Sequence, residues 1–205
     1  MTLRLLPAAR HRRMPWKNGR GETVEIAVYP QGAGLADFGW RLSMAGVTED
    51  GDFSVFQGID RSLAILSGDG IVLDVAGQPH HLTMDAAPLA FPADAPASAR
   101  LISGPVTDLN LMTRRGAYAH RLYRATDAAP ETAPETAPVT PPMSAPDWRI
   151  ILATAPATFR IDGQVVTLGP LDALLCEGAG ACAPLAPDQA PDQAANLWLA
   201  EISRL

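Results

Sequence analysis

Leu63-Ala64-Ile65-Leu66-Ser67-Gly68-Asp69-Gly70-Ile71-Val72-Leu73-Asp74-Val75-Ala76-Gly77-Gln78-Pro79 reads as strand, turn, strand, turn. Its apolar runs are short and broken by Gly, Pro and Asp, a pattern that suits extended chain and not a one-sided helix. Ser67-Gly68-Asp69-Gly70 and Ala76-Gly77-Gln78-Pro79 supply the residues that tight hairpin connections need. The same signature on the N-terminal side predicts strands at 22–29, 39–47, 53–56 and 62–66. On the C-terminal side it predicts 70–75, 89–91, 99–102, 106–113 and 119–123. So many short strands are too many for one open sheet and point to an all-β, closed or sandwiched fold.

The rhythm occurs again downstream. Ala157-Thr158-Phe159-Arg160-Ile161-Asp162-Gly163-Gln164-Val165-Val166-Thr167-Leu168-Gly169-Pro170 is strand, Asp-Gly turn, strand, turn, and further strands are expected at 148–154, 173–176 and 196–202. Between the two modules the composition shifts to Pro, Thr, Ala and Glu, with Pro130-Glu131-Thr132-Ala133 repeated as Pro134-Glu135-Thr136-Ala137. Prolines at that density favour an extended, solvated linker. The expected organisation is a first β-barrel over 1–125, a linker over 126–146 and a smaller β module over 147–205, with an exposed Pro-rich loop at 183–191. The hairpins resemble those of cupin jelly rolls, and two such modules make a bicupin arrangement.

Composition narrows the function. Of 205 residues 47% are hydrophobic and 19% charged, enough to bury a core, and the net charge of -6 is opposite in sign to a nucleic-acid footprint. Apolar runs fall far short of the ~20 residues that span a bilayer, and no long apolar core follows the basic start. A cytoplasmic protein with no nucleic-acid or membrane partner is expected. Cys176 and Cys182 then read as reduced thiols.

Among sixteen Lys and Arg residues only Lys17 is a lysine. An ammonium is a compact charge where guanidinium is a broad fork, so a lone lysine suits a confined site. It lies in Pro15-Trp16-Lys17-Asn18-Gly19-Arg20-Gly21, whose glycines permit close backbone approach. Alternation in 39–47 puts Trp40, Leu42 and Met44 on one face and Arg41, Ser43 and Ala45 on the other. The second face is either solvent-exposed or lines a barrel. Arg61 stands at the mouth of a strand after Phe53-Ser54-Val55-Phe56-Gln57-Gly58. In 106–114, Asp108, Asn110, Met112 and Arg114 share a face opposite Leu109 and Leu111. That face also has two readings, solvent or cavity.

Other chemistries lack their motifs. The four histidines include adjacent His80 and His81, which face opposite ways on a strand, and no H-x-H pair exists, so no metal or other cofactor is expected. Neither a phosphate-binding G-x-x-x-x-G-K-[ST] loop nor a G-x-S-x-G nucleophile elbow occurs.

The phrases 15–21, Trp-Arg-Leu-Ser-Met-Ala (40–45), Asp-Gly-Asp-Phe-Ser-Val-Phe-Gln-Gly-Ile-Asp-Arg (50–61) and Asp-Leu-Asn-Leu-Met-Thr-Arg-Arg (108–115), in that order, resemble the HutD/Ves family. The resemblance covers most of residues 1–124. It implies a bicupin without metal-binding histidines, with no catalytic activity firmly attached, that binds a small metabolite of the histidine-utilisation pathway. The site expected on these grounds comprises Trp16, Lys17, Asn18, Arg41, Ser43, Arg61, Asn110 and Met112, a positive pocket for a small carboxylate such as formylglutamate. The expected protein is a non-catalytic sensor or accessory factor, and a homodimer is allowed. Two alternatives stand beside it: a metal-independent isomerase or hydrolase using Lys17 as base or Schiff-base amine, and a protein-interaction module.

Overall fold

The structure, a computed structural model, describes residues 2–16, 21–126, 146–161, 163–178 and 195–205. Among these the chain forms strands, one 3-10 turn at Ala8–Arg10 and no α-helix, so no helix is long and apolar enough to cross a membrane. The strands are β1 (Thr2–Leu6), β2 (Arg12–Pro15), β3 (Gly21–Tyr29), β4 (Trp40–Val47), β5 (Gly51–Asp52), β6 (Ile59–Ser67), β7 (Ile71–Val75), β8 (Gln78–Leu82) and β9 (Leu89–Pro92). They continue as β10 (Ala97–Leu101), β11 (Val106–Arg114), β12 (Tyr118–Arg124), β13 (Trp148–Ala153), β14 (Ala157–Ile161), β15 (Gln164–Leu168), β16 (Ala173–Glu177) and β17 (Leu197–Arg204).

Two compact units result. The first, Arg12–Ala117, pairs a six-stranded sheet of order β2-β3-β4-β11-β6-β9 with a four-stranded sheet of order β5-β10-β7-β8. Leu63, Ile65, Val106 and Val47 from one sheet pack with Ile71, Leu73, Leu82 and Ala99 from the other. This is the cupin-like jelly roll that the 63–79 hairpin predicts. Gly70 shows why its turn needs glycine: φ is +106° and a Cβ there would strike the Leu82 carbonyl.

The second unit has a five-stranded sheet of order β1-β16-β13-β17-β12 and the hairpin β14-β15. Ile151, Phe159, Leu168, Leu174, Cys176 and Leu197 form its core. Its makeup departs from the 1–125 and 147–205 division. β1 pairs antiparallel with β16, and β12 with β17, so both strands belong to the second unit. Strands β16, β13 and β17 alone would leave two edges with open donors and acceptors, and β1 and β12 occupy both. Cys182, the 183–191 loop and nearly all of the expected linker lie outside the described residues.

Local departures are equally physical. Residues 53–56 are not a strand: Phe53 N donates to Ala97 O and Phe56 N to Ala93 O, but no continuous ladder forms. β8 carries Pro79, which is tolerated because β8 is an edge strand.

Candidate functional site

Three neighbouring strands build the floor of the site. Register sets Arg41 of β4, Met112 of β11 and Arg61 of β6 in one row, and Ser43, Asn110 and Leu63 in the next. Asp108 follows between Ala45 and Ile65. Side chains at every second position share a face, and Leu63 and Ile65 identify it as the inward face that meets the four-stranded sheet. The choice between solvent and barrel interior is thereby decided, with Arg41, Ser43, Arg61, Asp108, Asn110 and Met112 all buried. The opposite face is buried too, Leu109 and Leu111 completely.

These residues line a cavity of about 720 Å³, within the size range of small-molecule sites. Of the eight residues expected in the site, Trp16, Arg41, Ser43, Arg61, Asn110 and Met112 line it. Lys17 and Asn18 lie outside the described residues. The described residues on either side of them are joined by two hydrogen bonds, Trp16 N to Gly21 O (2.9 Å) and Trp16 Nε1 to Thr23 Oγ1 (2.9 Å). A Cβ on Gly21 would collide with Gly46 O and press on the Trp16 ring, so the close strand approach requires glycine there.

The two arginines differ in their partners. Arg41 Nε donates to Glu25 Oε2 at 2.8 Å, a buried ion pair reaching toward β3, away from β6. Arg61 sits among three phenylalanines, its guanidinium carbon 5.4, 5.5 and 5.7 Å from the rings of Phe53, Phe56 and Phe91. Aromatic faces attract a cation but accept no strong hydrogen bond. One Nη reaches Ser54 O at 3.4 Å and Met112 Sδ at 4.0 Å, and Nε has no hydrogen-bond partner among the described residues. Burial lowers the Arg61 pKa to about 10; Asp108 opposes that shift and Arg41 adds to it.

Asp108 is the counter-charge. It is 1% exposed; Oδ1 accepts from Asn110 Nδ2, the Ala45 N–H also donates to the carboxylate, and Oδ2 has no partner among the described residues. Burial pushes its pKa up to about 7, against the pull of Arg61, the Ala45 N–H and Asn110. The folded state therefore favours the neutral acid. Stability from this group is complete below the ordinary value of 3.8 and is lost as pH rises to about 7.

The lining is not uniformly positive, as the sequence suggests. Two guanidiniums stand on the floor, but Asp108 accompanies them and Glu49, Asp50 and Asp52 also line the cavity. Asp108 and the rings of Phe53 and Phe56 were not among the expected site residues. Asp108 was legible as the third polar residue on the Asn110 face, whereas the rings arrive on an irregular stretch. Metal ligation does not fit this floor, because guanidiniums repel a cation and offer it no lone pair. Among the described residues no three of His, Cys, Asp and Glu converge, and His80 and His81 lie apart from the cavity on β8.

Comparison with known proteins places this geometry among relatives. A family model described as HutD matches residues 8–191. An uncharacterised 21.2 kDa protein in the hutC 3′ region of Pseudomonas putida is 44% identical over 123 residues, covering 60% of this chain and 62% of that protein. Protein Ves of Citrobacter koseri is 38% identical over 108 residues, 51% of this chain and 56% of that one. The matched stretch thus spans rather more than half the length of each. A structure of HutD from Pseudomonas fluorescens SBW25, in a formate condition, superposes with a TM-score of 0.72 at 28% identity and covers 100% of both chains.

Proposed function

The chain belongs to the HutD family, and from that membership we propose that it is a cytoplasmic, metal-free binding protein for a small carboxylate of histidine breakdown, formylglutamate first among them. The observation that carries this reading is Arg61. A guanidinium 4% exposed, with Nε unpartnered among the described residues, faces a cavity of about 720 Å³. A buried donor without an acceptor costs on the order of 1–3 kcal/mol, more when charged, and a carboxylate supplies the matching acceptor pair. The relative encoded in the hutC region supports the link to histidine breakdown. Asn110 and Ser43 orient the ligand and Trp16 walls it.

Thermal-shift titration with formylglutamate, urocanate, glutamate and formate tests the reading. One acid should raise the melting temperature with a stabilisation of about 2.7 kcal/mol at a hundred times Kd, and should be recovered chemically intact. Turnover to a product over hours would make the protein an enzyme instead. A flat response to all four acids would leave the interaction module as the better account.

Asp108 should make that binding depend on pH. The charged group facing it is Arg61 on β6, with the Asn110 amide and Ala45 N–H as donors. A bound anion disfavours ionised Asp108, so binding above pH 7 must take up a proton. Affinity for formylglutamate is expected to fall by up to tenfold per pH unit above about 7, and Asp108→Asn should flatten the profile. Calorimetry at pH 6, 7 and 8 measures it; equal slopes in both proteins would remove Asp108 from the linkage.

A further inference from the structure

The second unit repeats the arginine row of the first with one change. Across β12, β17 and β13 the register aligns Arg121, Glu201 and Arg149, just as β4, β11 and β6 align Arg41, Met112 and Arg61. In both units an arginine on each outer strand flanks a residue of the middle strand. Both rows point into the interior: Ile151 and Leu199 lie two residues along from Arg149 and Glu201 on the same face, and Ile151 belongs to the second unit's core. Glu201, 1% exposed, bridges its pair. Oε2 accepts from Arg121 Nη2 at 2.7 Å, and Oε1 accepts from Arg149 Nε at 2.8 Å and Nη2 at 2.5 Å.

The first unit has a thioether at that position. Met112 Sδ lies 4.0 Å from Arg61 Nη2, a weak acceptor at a long distance. Arg41 turns to Glu25 on the far side, and Arg61 Nε is without a partner among the described residues. Two cations flanking an apolar side chain repel one another, and the Arg121–Glu201–Arg149 row shows how this fold neutralises such a pair: one carboxylate spans it.

We infer that the ligand's carboxylate lies over Met112 between Arg41 and Arg61, in the place that Glu201 fills from within the chain in the second unit. The inference rests on the carboxylate-binding reading and deepens it, because it specifies which two arginines share the anion and which side chain leaves room for it. Met112 is then a specificity-determining position: a thioether keeps the row open to an external acid, where a carboxylate would close it.

The test is Met112→Glu beside Met112→Gln, near-isosteric side chains that differ in charge. If the row receives a carboxylate, Met112→Glu at pH 8 melts higher than Met112→Gln, loses that advantage on acidification below about pH 4, and binds formylglutamate at least a hundredfold more weakly than the parent protein. Met112→Glu melting below Met112→Gln at pH 8, or failing to fold where Met112→Gln folds, overturns the inference even if the parent binds acids well. Parent-like affinity in folded Met112→Glu overturns it too. If the parent responds to none of the four acids, the carboxylate-binding reading falls and takes the ligand's placement with it; the comparison of the two variants distinguishes that failure, since it needs no ligand.

Discussion

Replacing Arg61 with methionine is expected to weaken formylglutamate binding by about two to four orders of magnitude while the protein stays folded. Truncating one partner of a buried, hydrogen-bonded charge pair costs about 2–5 kcal/mol, and that range sets the expected loss. Methionine is apolar, flexible and of similar length, so it can fill the space among Phe53, Phe56 and Phe91. Asp108 loses the positive charge that holds its pKa down and moves further toward the neutral acid, which is tolerated in an apolar site. Stability should accordingly change far less than affinity. Arg61→Lys separates charge from shape: an ammonium keeps the cation but lacks the planar fork, so part of the binding should return. The measurement is titration calorimetry beside urea unfolding, and undiminished affinity in Arg61→Met would move the anion away from the floor of the cavity.

The largest expected loss of stability lies in the other unit. Glu201→Gln leaves a buried guanidinium, Arg149, and a half-buried one, Arg121, facing a neutral amide, with side-chain exposures of 8% and 21% in the native protein. Breaking a buried pair by removing one partner costs about 3–5 kcal/mol, because the remaining charge is uncompensated. Tyr123 reports on the same change. Burial, then the charge and hydrogen bond of Glu201, holds its phenol at about 12, so the substitution should lower the pH at which it ionises. Urea unfolding followed by tryptophan fluorescence measures the stability, since Trp148 and Trp198 lie on β13 and β17 of this sheet. A change below about 1 kcal/mol would mean that the row contributes little and that Glu201 is a poor guide to the ligand.

The floor of the site was readable because strand alternation is rigid. Once 39–47 and 106–114 are strands, Arg41 must share a face with Ser43, and Asn110 with Met112, whatever the rest of the molecule does. Which face points inward depends on the four-stranded sheet, which no local pattern specifies. Phe53 and Phe56 show another limit: alternation suggested a strand, yet their value to Arg61 comes from the absence of a ladder, which lets both rings approach the guanidinium. Glu25 was invisible as a partner of Arg41 because the pair forms across β3 and β4 past a register shift between Glu25 and Ala27. The division of strands between units was hidden for a different reason. β1 was not read as a strand and β12 looks like any short one, and only the open edges of a sheet completed late in the sequence reveal where they belong.

The pairing of β1 with β16 has a consequence for the order in which the protein matures. Thr2 lies opposite Glu177, so β1 gains its partner only after the whole first unit, which lies between the two strands in the sequence, has been synthesised. Residues 12–117 hold every strand of the first unit and can condense while translation continues, whereas β1 must wait as an unsatisfied edge. Nascent-chain folding should therefore complete the first unit before β1 docks on β16.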